Sequence, residues 1–269
     1  MLIRVGFEIV LEFSEPTAMV WMLYLHPTRA PTVRQAEQFR IQPAVAIAEF
    51  RDGFGNRCGR ALVPAGSVRL SNEAVVEDCG LPDLQVGDAR QVPVQELPPE
   101  VLQFLLPSRY CEVDSELKNL ACTLFGGTTP GWPRVQAICR FVHQHIRFDY
   151  QQARATRTAL EVYRERTGVC RDFMHLAVTL CRGVNIPARY CTGYLGDIGV
   201  PRDPNPMDFS AWFEAYLGGQ WYAFDARHDI PRIGRVLMAR GRDAADVALT
   251  TTFGENLLRS FVVSADEVM

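Results

Sequence analysis

Apolar and polar residues alternate from the start of the chain, Met1-Leu2-Ile3-Arg4-Val5-Gly6-Phe7-Glu8, which is the two-residue period of a half-buried strand. Short runs of β type follow over Ile3 to Phe13, Met19 to Leu25, Ala44 to Phe50 and Val68 to Leu70. Between the last two lies Asp52-Gly53-Phe54-Gly55-Asn56, a strong turn signal. The pattern predicts an antiparallel β-sandwich or barrel module over residues 1–100. Pro93, Pro98 and Pro99 mark its end.

From there the period lengthens. Glu100 to Leu106 is largely apolar and is expected to begin the helices, and Pro133 to Val142 has proline near its start and apolar residues three and four apart, as an amphipathic helix requires. A helix from Thr158 to Arg166 stops at Gly168, and another from Cys170 to Cys181 is closed by Gly183 and Pro187. Residues 101–269 are therefore expected to form a second, helix-led domain. Further on, Gly218-Gly219 is placed to turn a two-residue hairpin that pairs Leu217 with Gln220.

Composition narrows the class. The 269 residues are 48% apolar and 22% charged, enough to bury a full core, and the net charge of -3 predicts no nucleic-acid partner. Charges in the opening segment make a secretory leader unlike it, and no uninterrupted apolar stretch approaches ~20 residues, so no membrane span is expected and a cytoplasmic location is the default. Eight cysteines are scattered without a Cys-x-x-Cys pair and are expected to be reduced. Cys139-x3-His143-x-His145 resembles a ligand cluster but lacks a carboxylate or second cysteine pair; it reads as a buried thiol with histidines near a helix end. No metal or other cofactor is expected.

Cys170 opens its helix in Gly168-Val169-Cys170-Arg171-Asp172-Phe173. Backbone N–H groups and the helix dipole favour a thiolate at such a position, and the same donors can hold the oxyanion of an acyl-transfer intermediate. Position alone predicts a thiol more acidic than the average. Asp172 is expected to bond first-turn N–H groups.

That segment, with His175-Leu176, Asn185-Ile186-Pro187-Ala188-Arg189-Tyr190 and Gly193-Tyr194, resembles the bacterial branch of the transglutaminase-like superfamily of cysteine enzymes. Ala211-Trp212-Phe213-Glu214-Ala215-Tyr216 and Trp221-Tyr222-Ala223-Phe224-Asp225-Ala226 resemble its second and third catalytic blocks, in the family's order. The resemblance implies an α+β fold with a papain-like transglutaminase core, preceded by the β module. It implies that Cys170 is the nucleophile of a thioester mechanism on peptide or amide substrates and that Asp225 orients a histidine. The histidine's own position is occupied by Ser210. The chain is then an acyl-transfer enzyme (protease, amidase or transamidase) with impaired activity, or a non-catalytic protein that keeps the cleft to bind a peptide or partner.

Hairpin register places residues 210 and 225 as diagonal neighbours on one face, ~7–8 Å apart, which suits a histidine–aspartate pair. A serine hydroxyl is too short to span that gap and too weak an acid to protonate an amine leaving group near neutral pH. In the same register His228 pairs with Phe209 and points to the opposite face unless the strand ends or bulges first. His175, five residues after Cys170, is expected to bond internally. Asp208 is placed at the cleft mouth, the arginines from Arg232 to Arg242 in mixed ion pairs, and the irregular Leu195 to Met207 segment among the loops that set specificity.

Overall fold

The computed structural model describes residues 1–268. Strands come first: β1 (Leu2–Phe13), β2 (Thr17–Trp21), β3 (Val33–Gln35), β4 (Arg40–Gln42), β5 (Ala48–Arg51), β6 (Arg57–Val63) and β7 (Gly66–Glu77). The helical stretch holds α1 (Pro99–Leu102), α2 (Glu116–Phe125), α3 (Trp132–His145), β8 (Arg147–Phe148), α4 (Ala159–Glu165), β9 (Thr167–Gly168) and α5 (Cys170–Gly183). Strands then return as β10 (Ala188–Leu195), β11 (Ser210–Leu217), β12 (Gln220–Phe224), β13 (Arg235–Gly241), β14 (Thr250–Thr252) and β15 (Asn256–Val268). The fold is mixed α and β with several antiparallel sheets.

Alternation in β1 buries Ile3, Val5, Ile9, Leu11 and Phe13 on one side of a sheet ordered β15-β1-β7-β3, with β4 also paired to β7. A second sheet runs β14-β2-β6-β5. Neither closes into a barrel among the described residues, so the expected barrel alternative is not what forms.

The division expected near residue 100 is crossed twice. β15 pairs with β1 along most of its length, from Leu2↔Val268 to Phe13↔Asn256, and β14 pairs with β2. One core gathers Ile3, Val5 and Trp21 with Tyr194, Val236 and Val263, from both ends of the chain. The helix expected from Glu100 is also cut to one α turn, followed by a 3-10 turn over Gln103–Leu105.

Helix α5 is the axis of the other core. Every residue from Asp172 to Gly183 is buried, because the helix is enclosed by α2, α3, α4 and the sheet β12-β11-β10-β13. Gly183 faces Ala121 so closely that an added Cβ would lie 2.9 Å from the Ala121 methyl carbon, which brings α2 and α5 into contact. Strand β10 lies between β11 and β13 and is buried along its whole length, Arg189 and Thr192 included. The sheet thus lies against the helix that begins at Cys170.

Candidate functional site

The residues around Cys170 fix the start of α5 locally. The buried Asp172 carboxylate accepts the Val169 N–H at 2.9 Å, closing the first turn, and binds the Arg157 guanidinium at 3.0 Å, which is itself 3% exposed. Gly168 is required by the same contact: an added Cβ would lie 2.5 Å from Asp172 Oδ2. The Gly-Val-Cys-Arg-Asp sequence is therefore a mechanical unit that sets Cys170 at the helix start.

Cys170 keeps some exposure, but its sulfur is densely surrounded. Burial pushes the thiol up to about 11, against the opposing pull of the Arg227 charge and of the Ala211 and Arg171 N–H groups; Asp208 pushes it further up. The acidic thiol expected from helix position is thus overturned, because desolvation outweighs the helix N-terminus in the resting protein. The proximity of Ala211 places Cys170 beside Ser210, the preceding residue on β11.

The hairpin forms as the glycines predict. Gly218 and Gly219 have φ of 58° and 97°, and Leu217 pairs with Gln220. Ser210 is buried opposite Gly193 on β10. Pairing with β12, however, stops at Phe213↔Phe224, so Asp225 falls beyond the ladder that was to hold it diagonal to residue 210.

That early end changes the role of His228. Asp225 leaves the strand and nucleates a turn: its Oδ1 accepts the backbone N–H groups of Arg227 and His228, both at 3.0 Å. The turn swings the imidazole back, and His228 Nδ1 lies 2.8 Å from Asp225 Oδ2. His228 therefore does not point to the opposite face, as a continued strand would require. Arg235 Nη2 donates to the same carboxylate oxygen at 3.0 Å. Burial alone would raise the Asp225 carboxyl, but the His228 hydrogen bonds and the Arg235 charge hold it well below the usual carboxylate range. An ionised carboxylate only accepts, so Nδ1 carries the proton and His228 Nε2 is left as the free ring nitrogen.

Ser210, Arg227 and His228 line one cleft of about 930 Å³. Tyr150, Asp208 and the irregular 197–207 segment complete part of its wall, and β15 supplies residues 263–267. The Arg227 guanidinium lies 3.9 Å over the Phe148 ring, tying the turn after β12 to β8. Cys170 thus lies against the Ala211 N–H, Asp225 is held by His228, and Ser210 and His228 line the same cleft.

The remaining candidates have other partners. His143 Nδ1 lies 2.8 Å from the Arg227 carbonyl and His145 Nε2 2.7 Å from the Tyr163 carbonyl, so those histidines brace the fold. His175 is fully buried, receives the Ala244 N–H on Nε2, and stacks 5.0 Å from Tyr110. Burial, with the charges of Arg171 and Arg182, holds it well below the usual imidazole range. Arg232 pairs with Asp197, Arg235 with Asp83 and Asp225, and Arg242 with Asp246. No helix among the described residues is long and apolar enough to cross a membrane.

A cysteine at the start of a buried helix, set against a hairpin that ends in a buried aspartate, is the arrangement of a transglutaminase-like core. The sequence profile of the transglutaminase-like superfamily matches residues 118–226, and the crystal structure of a "putative cysteine protease" from Cytophaga hutchinsonii superposes with a TM-score of 0.86 at 32% identity, covering 99% of this chain and 90% of that one. The chain belongs to the transglutaminase-like superfamily. An uncharacterised Mycobacterium leprae protein is 28% identical over 153 residues, 55% of this chain and 53% of the relative, so the chain spans about half of that relative's length. An uncharacterised Mycobacterium bovis protein is 26% identical over 235 residues, 79% of this chain and 74% of its own length.

Sequence reasoning missed the Asp225–His228 pair. The available signal was turn chemistry: an aspartate three residues before a histidine can accept the main-chain N–H groups of the next turn and so end a strand.

Proposed function

We propose that the protein is a cysteine-dependent acyl-transfer enzyme acting on a peptide or amide, through a thioester at Cys170. The observation that carries the reading is the placement of Cys170 at the α5 start, between the Ala211 N–H and the Arg227 charge. The thiolate attacks the substrate carbonyl, the carbon–nitrogen bond breaks as the amine leaves, and water or a second amine then cleaves the thioester. The likeness to the Cytophaga protein and its cysteine-protease name supports the same reading.

A second reading is a peptide- or partner-binding protein that keeps the cleft without turnover. A thiol pushed up to about 11 and a serine at position 210 favour it, since little thiolate is then present near neutral pH. Hydrolysis of p-nitrophenyl acetate and of peptide p-nitroanilides separates the two. Cys170→Ala is expected to remove the protein-dependent rate on both; a rate on neither substrate from the unmodified chain supports the binding protein.

A further inference from the structure

The geometry points to His228 as the general base and acid of the Cys170 reaction, in place of the histidine that Ser210 displaces. The inference rests on the reading of Cys170 as nucleophile. It starts from the Asp225 carboxylate, whose Oδ2 is bound to an imidazole that comes from the turn after β12 and not from β11. An orienting carboxylate, a fixed tautomer and a free Nε2 are what a base beside a nucleophile needs. His228 side-chain exposure is 24%, against 1% for Asp225, so the pair has an inner orienting end and an outer end open to the cleft.

The path to the sulfur follows chain neighbours. Arg227 precedes His228, lines the same cleft and acts electrostatically on Cys170; Ser210 lines that cleft too and precedes Ala211, whose N–H faces the sulfur. Ser210 is smaller than an imidazole, and in this assignment a substrate group or a water bridges His228 to the thiol. None of the other four histidines lines the cleft: His143 and His145 each bind a carbonyl through one ring nitrogen, His26 is buried against Thr28, and His175 is sealed in the core.

In the step so assigned, the Cys170 proton passes to His228 Nε2 as the sulfur bonds to the carbonyl carbon and the C=O pair moves to oxygen. On collapse, His228 Nε2 returns that proton to the departing amine nitrogen while the carbon–nitrogen bond breaks. Water next attacks the thioester, giving its proton to Nε2, and the carbon–sulfur bond breaks to release the acid and restore the thiol. Asp225 holds the imidazolium without changing its own protonation.

The test is the rate of Cys170 alkylation by iodoacetamide from pH 6 to 11, with p-nitrophenyl acetate hydrolysis alongside, for the native chain, His228→Gln and Cys170→Ala. His228→Gln is expected to lower both rates at pH 7 by about 10²-fold, at the low end of general acid–base contributions. Its alkylation rate should then climb with hydroxide alone and converge on the native rate near pH 11, a pH dependence that a merely structural loss would not produce. Unchanged rates at pH 7 in a folded His228→Gln would overturn His228 as base while leaving the nucleophile in place. Persistence of the esterase rate in Cys170→Ala would instead overturn the nucleophile and the base together. Should His228→Gln fail to fold, the native chain gives the answer by NMR: the His228 ring resonances are expected to shift when Cys170 is alkylated, and their indifference contradicts the assignment.

Discussion

Asp172 and Asp225 are both buried carboxylates, yet they are held in different ways. Asp172 has no exposed surface and is matched by Arg157 and Arg171. Removing its charge leaves the buried Arg157 with Glu165 as its one remaining carboxylate partner, at 2.9 Å, so Asp172→Asn is expected to cost about 1–3 kcal/mol by denaturant unfolding. Gly168→Ala drives a methyl group into the same carboxylate and is expected to cost about 1–3 kcal/mol in the same measurement. Asp225 titrates lower folded than unfolded, so below about pH 4 the unfolded chain binds more protons and stability falls as pH falls. Denaturation midpoints between pH 5 and pH 2 should therefore drop more steeply for the native chain than for Asp225→Asn. Equal slopes would mean that His228 and Arg235 do not stabilise the charged form. Cys170, Ser210 and Asp225 were legible as residue types at motif spacing; the raised Cys170 thiol was not, because burial is set by tertiary packing.

At the scale of elements, the hairpin and α5 follow from local signals, Gly218-Gly219 in the one and helical apolar spacing with an N-terminal carboxylate in the other. Strand β15 carried no such signal. It is an edge strand with Leu257, Leu258 and Val262 exposed, so its apolar residues do not mark one buried face, and its partner β1 lies at the far end of the chain. The end of β12 was hidden for a related reason: the turn depends on Asp225 accepting its own downstream N–H groups, which competes with the ladder. Gly193 is the tightest point of the sheet behind Ser210, since an added Cβ would lie 2.1 Å from the Val236 carbonyl oxygen. The neighbour is backbone, so Gly193→Ala must part β10 from β13. It is expected to lower stability by about 1–3 kcal/mol in urea and to reduce Cys170 reactivity beyond its effect on folding.

Taken as a whole molecule, the chain ties its β-rich sheets to the helical core through the last strands. The sequence pattern suggested two consecutive units, but Tyr194 and Val236 pack in one cluster with Ile3 and Val5, and β15 lines the cleft beside Ser210 and His228. Far-ultraviolet circular dichroism and tryptophan fluorescence are therefore expected to report one coincident unfolding transition, and residues 101–269 alone are expected not to fold; two separated transitions would support a division into consecutive domains at residue 100. The central claim, that this assembly exists to form an acyl-enzyme at Cys170, is tested most directly by rapid quenching with p-nitrophenyl acetate followed by peptide mass spectrometry. The account predicts a single acetyl group on Cys170, absent in Cys170→Ser. No adduct, or one confined to the exposed thiols Cys79 and Cys122, would contradict it.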